Sequence, residues 1–201
     1  MPPTLPVLCT SSPEGGEGRA LAEGEPSQGL SVDVVHEAGD WGSLSSVAEA
    51  VKAASAAVAA ELGLHTGEAC VALSSDEHVA RLNATYRGKP SPTNVLSFPS
   101  GAPRSEAMSE TEFLGDIVLA AETVTREADA LGLPLIHHLQ HLVVHGLLHL
   151  LGFDHESDEE AEVMESLEVR ILARLGLSNP YEEASEPLAF PQSLAERTKT
   201  T

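Results

Sequence analysis

The chain has 201 residues, 42% of them hydrophobic, and 31 acidic side chains against 11 Lys and Arg give it a net charge of −20. That length and apolar content suffice to bury one core, and the charge excludes a protein that grips nucleic acid through a broadly basic surface. No segment is apolar for long enough to span a bilayer and no secretory leader opens the chain, so a cytoplasmic protein with no membrane contact is expected; two cysteines agree with a reducing compartment.

In chain order, residues 1–30 set Pro2, Pro3, Pro6, Pro13 and Pro26 among Gly, Ser and Glu with no apolar periodicity, and read as a disordered tail that includes Cys9. Ser31 to Val35 alternates weakly as a first strand, and Ser43 to Leu62 is an Ala-rich helix. Glu68 to Leu73 is a second strand, with Cys70 a small buried thiol, and Ser75 caps a helix running through Tyr86. Strands at Asn94 to Phe98 and Gly115 to Ala120 follow, separated by a polar Gly-, Pro- and Ser-containing stretch, Pro99 to Glu112, that suits a mobile loop near a site. A helix covers Ala121 to Leu131, Pro134 opens another that runs to about Leu151, and Ser157 or Asp158 opens a last one ending near Leu175. Residues 182–201 read as a second disordered tail. The sum is an α+β fold, a small mixed sheet of about four strands packed with helices, in a single domain over 31–181.

The chemistry concentrates in the helix that Pro134 opens, which carries an HxxxHxxxxxH pattern. His145 and His149 at i and i+4 project from one helix face, close enough to share an ion. Gly152, three residues on, can enter left-handed backbone space and turn the chain so that His155 swings back to meet them. Three neutral imidazoles leave one position of a tetrahedral shell open, as in catalytic zinc sites. A lone His on an apolar helix face is more often a hydrogen-bonded core residue, but three at these intervals with a placed Gly point to a metal. His141 reads as a hydrogen-bonding residue behind the site, and His137 and His138 as surface or interface residues, since each four-residue step overshoots a turn by about 40°.

The pattern approaches the zinc-protease signature His-Glu-x-x-His, yet Gly146 stands where those enzymes keep their general base. That argues against proteolysis more than against metal hydrolysis, because zinc lowers the pKa of bound water toward about 7. Asp154 either orients a ligand or caps the following helix, and the capping role is slightly favoured. Upstream, Arg87 and Lys89 flank Gly88 at a helix end. Both suit the helix macrodipole, but in so acidic a chain the pair stands out, and the planar fork of Arg87 is the candidate clamp for a phosphodiester. The acidic run Glu156 to Glu168 reads as the solvated face and first turn of the last helix.

These pieces, Leu82-Asn83 through Phe98, Leu114-Gly115-Asp116-Ile117, and His141 through His155, resemble the YbeY family of metal-dependent endoribonucleases and ribosomal RNA maturation factors. The resemblance spans about residues 31–181 and departs at Phe153, where the family often carries Tyr. It implies that His145, His149 and His155 bind one Zn2+ per chain and that Arg87 takes part in RNA cleavage. It also implies a single-stranded ribosomal RNA substrate, a role at the 3′ end of small-subunit ribosomal RNA and in ribosome quality control, and ribosomal proteins as partners. The residues alone reach only a metal hydrolase. A hydrolase of another substrate class, and a ribosome assembly factor whose zinc merely stabilises the fold, stay open beside it.

Overall fold

The computed structural model describes residues 29–101 and 112–181. Residues 1–28 with Cys9, the C-terminal tail and most of the Pro99 to Glu112 loop lie outside the described residues, whereas Gly29 and Leu30, expected in the first tail, belong to the fold, Leu30 being buried in the core. The elements run β1 (Ser31–His36), α1 (Leu44–Leu62), β2 (Glu68–Ser74), α2 (Asp76–Arg87), β3 (Val95–Pro99), β4 (Phe113–Ala120), α3 (Ala121–Leu131), α4 (Leu135–Leu150) and α5 (Asp158–Arg174). The expected α+β class is observed.

One four-stranded sheet has the order β1-β2-β4-β3. β1, β2 and β4 are parallel, and β3 closes the far edge antiparallel to β4. A strand covered on both faces reads as a continuous apolar run, and Ala69 to Leu73 of β2 are all buried. Along β4 the side chains divide: Ile117 and Leu119 join the main core with α1, α4 and α5. Val118 and Ala120 face the other way, into a smaller cluster with Leu96, Phe98 and Val79 of α2. Thus α2 lies on the opposite sheet face from α4.

Local chemistry starts the helices. Ser75 accepts from the His78 backbone N–H and caps α2, while Ser157 and Glu160 form a reciprocal capping box on α5. The starts of α2 and α3 are laced together, because Asp76 accepts from Thr123 N at 2.9 Å and Glu122 accepts from Asp76 N at 2.7 Å. Glu61 of α1 accepts from Arg170 at 2.8 Å and Arg174 at 2.7 Å, tying α1 to α5.

α4 is the central helix. Leu139, Val143, Val144, Leu147 and Leu148 are fully buried, each such side chain contributing roughly 1.5–3 kcal/mol on transfer from water. Its C-terminal end lies over the start of β4, where Leu150 meets Gly115. The remaining stripe of α4 carries its histidines.

Candidate metal centre

His145 and His149 sit one turn apart on that stripe, each partly buried. Their Nε2 atoms face each other at 3.1 Å. Gly152 adopts φ 88°, and Phe153 N donates back to Leu148 O at 3.0 Å, so the chain reverses after α4 and returns exposed His155 to the same place. The His155 ring lies 5.6 Å from that of His145 and 5.0 Å from that of His149, centre to centre. One nitrogen from each of the three falls within 4.8 Å of the others, which is compatible with a metal site.

The far sides of the first two rings are also committed. His145 Nδ1 meets Glu168 Oε1 at 2.7 Å, and His149 Nδ1 meets the Phe153 carbonyl at 3.1 Å. A carboxylate and a carbonyl only accept, so both Nδ1 atoms carry the proton. A neutral imidazole has one proton, and two Nε2 lone pairs are left pointing at each other. A cation between them resolves that conflict, so the donor set fits a metal ion. Adding a proton to His149 instead is disfavoured: burial, together with His145 and His155 alongside, holds its pKa below the ordinary histidine value.

Glu168 was hidden in the acidic run read as a solvated face, and it is fully buried. Its Oε2 accepts from His141 Nε2 at 3.2 Å and from the Tyr181 hydroxyl. Burial pushes this carboxyl up, but the hydrogen bonds from His141, His145 and Tyr181 outweigh it and hold it at about 2. The Tyr181 phenol is pushed up in turn, by burial and by Glu168. Glu168 was discoverable: Met164, Leu167, Ile171 and Leu172 form the buried stripe of α5, and position 168 falls on it.

Two further expectations need correction. His138 is not a surface residue; it is buried because α3 packs alongside, and its Nε2 meets Glu127 at 2.9 Å. Its neighbour His137 is exposed. Asp154 does not cap α5, since Ser157 holds that position. Asp154 instead accepts from His155 N at 2.8 Å and stands 4.0 Å from His149 Nδ1, beside the third His of the cluster.

Gly146 has a packing reason. A Cβ there would lie 2.9 Å from Ile117 Cδ1 and 3.1 Å from its Cγ2, so α4 approaches β4 too closely for a side chain. Gly146→Glu would complete the His-Glu-x-x-His pattern, but it forces an unpaired carboxylate against the sheet. The expected result is a loss of about 3 kcal/mol or more in chemical denaturation, with no peptidase activity gained.

Arg87 ends α2, exposed, with Gly88 behind it at φ 68° and Lys89 beyond, also exposed. Asn83 donates to Ser91 O at 2.8 Å and ties this loop to the helix. Tyr86 packs edge-on against Phe98, 5.2 Å between ring centres, and Phe98 pairs with Asp116. Arg87 therefore lies toward the same end of the sheet as the end of α4, on the opposite face, across the tip of edge strand β3. Among the described residues no hydrogen bond or ion pair joins Arg87 or Lys89 to the histidines.

The family described as Endoribonuclease YbeY matches residues 40–176. The chain belongs to the YbeY family. The Endoribonuclease YbeY of Rhodopseudomonas palustris is 50% identical over 153 residues, covering 74% of this chain and 80% of its own. That of Parvibaculum lavamentivorans is 46% identical over 173 residues, covering 83% and 92%. The solution structure of a Thermotoga maritima protein aligns at 26% identity and a TM-score of 0.46, over 76% of this chain and 99% of that one. The YbeY match contains the whole histidine cluster, Glu168 and the Arg87 loop; Tyr181 falls just outside it.

Proposed function

We propose that this chain is a metal-dependent endoribonuclease that cuts single-stranded ribosomal RNA in maturation of the 3′ end of the small-subunit RNA and in ribosome quality control, in the cytoplasm. The observation that carries the reading is the pair of Nε2 atoms of His145 and His149, opposed at 3.1 Å with His155 beside them, in a chain of this family. These three histidines would hold one zinc ion, which when bound supplies Lewis acidity and water activation at the phosphodiester. His145 and His149 keep fixed orientations through Glu168 and the Phe153 carbonyl. Arg87 steadies the phosphate with its donor fork, and Lys89 binds the neighbouring backbone.

The distribution of cations supports that assignment. Among the described residues Arg81, Arg126, Arg170 and Arg174 are taken up in ion pairs, whereas Arg87, Lys89 and Lys52 of α1 are in none, and only Arg87 and Lys89 stand together. The net charge of −20 remains adverse to free RNA, which favours docking through a basic partner such as a ribosomal protein. The test is cleavage of a single-stranded RNA carrying the precursor 3′ end of small-subunit ribosomal RNA. Cutting should stop after chelation and dialysis and return with stoichiometric zinc; undiminished cutting by the metal-free protein would overturn the reading.

A further inference from the structure

Glu168 stands at the junction of three donors, and this arrangement has a use beyond holding helices together. Its Oε1 accepts from His145 Nδ1 at 2.7 Å, and its Oε2 accepts from His141 Nε2 at 3.2 Å and from the Tyr181 hydroxyl. The side chain is fully buried. Three elements converge on it: α4 supplies both histidines, α5 the carboxylate, and the stretch after α5 the tyrosine, whose ring also packs edge-on to His141 at 6.2 Å.

An ionised carboxylate accepts and cannot donate. Facing one across 2.7 Å, neutral His145 must place its single proton on Nδ1, which leaves Nε2 as a lone pair aimed at His149. His141 and Tyr181 saturate the second oxygen, so the carboxylate cannot rotate away. An isosteric amide would behave otherwise. Gln has one accepting oxygen for three donors, and its NH2 would face either His145 or the His141 and Tyr181 pair. A histidine adapts to an NH2 by accepting at Nδ1 and moving its proton to Nε2, the form of neutral His145 unable to ligate through the nitrogen that faces His149.

We propose that Glu168, clamped by His141 and Tyr181, is the positioning residue that selects the ligating tautomer of His145, so that the short segment after α5 governs metal affinity. The proposal rests on the metal reading above, and one experiment separates the two. Zinc affinity of the full chain is measured by competition with a chromophoric chelator for the wild type, Glu168→Gln and Tyr181→Phe. The His145 tautomer is read in the metal-free proteins from the 15N shifts of the imidazole nitrogens.

Glu168→Gln should bind zinc about 10–100-fold more weakly and shift His145 toward the Nε2–H tautomer, while Tyr181→Phe, which keeps the ring, shows a smaller drop of about 10-fold, at the lower end of that range. A Co2+-substituted Glu168→Gln protein should have an altered visible spectrum, which a role confined to packing would not produce. Tight zinc binding by the wild type with unchanged affinity and tautomer in both variants would overturn the proposal alone. No zinc binding by the wild type would overturn the metal reading and this proposal with it. If Glu168→Gln fails to fold, Tyr181→Phe decides, and wild-type affinity there counts against it.

Discussion

Replacing His149 by alanine is expected to abolish stoichiometric zinc binding and reduce RNA cleavage to background while the chain still folds. His149 is one of two candidate ligands on a rigid helix, and no other imidazole can reach its place: His141, a turn before His145, is bonded to Glu168. Loss of a partner behind a ligand already costs about 10–100-fold in metal affinity, so loss of a ligand costs more than about 100-fold. The fold loses little. His149 is partly exposed on the stripe of α4 that faces away from the core, and its removal leaves one carbonyl, that of Phe153, without a donor, at about 1 kcal/mol. Chelator competition, a cleavage assay and thermal melting of the metal-free protein check the three parts separately.

Arg87→Ala is expected to lower cleavage by about 10²–10³-fold, the usual cost of removing one preorganised donor to developing charge, and to leave zinc affinity and folding intact. The side chain is exposed at the end of α2 and bonds nothing among the described residues, so its loss should move stability by no more than about 0.5 kcal/mol. Arg87→Lys should restore only part of the rate, because an ammonium cannot offer the two parallel donors of a guanidinium. In cells lacking the protein, mapping of small-subunit ribosomal RNA 3′ ends after resupply with wild type, Arg87→Ala or His149→Ala carries the result into its setting. Rescue by the wild type alone, with both variants folded and abundant, supports catalysis; rescue by Arg87→Ala would leave an assembly role as the better account.

The histidine cluster was legible because its geometry is nearly all local: one helix turn separates His145 from His149, and a single glycine returns His155. Both effects act over a few residues and leave a mark in spacing. The strands and helices were legible for the same reason, and observed ends fall within a residue or two of those expected. What was not legible depends on neighbours far along the chain. The burial of Glu168 requires histidines more than twenty residues earlier and a tyrosine thirteen later, so its charge outweighed its position in the α5 stripe. His138 is covered by α3 and answered by Glu127, which no helical period reveals. The antiparallel placement of β3 at the edge beside β4, and the position of Arg87 across its tip from α4, belong to sheet topology. Asp154 was misread for a simpler reason, since Ser157 with Glu160 is the stronger cap.

The burial of α4 at the centre of the core divides the site kinetically. Amides of Val143 to Leu148 should exchange with solvent deuterium only on global unfolding, with or without metal, since freeing them exposes residues shared by the sheet, α1 and α5. The turn through Gly152 to His155 is held by local bonds alone and is exposed at Gly152, Asp154 and His155. Metal capture should therefore slow exchange in the turn and leave the helix unchanged, the result expected if two candidate ligands wait in place and the third closes over the ion.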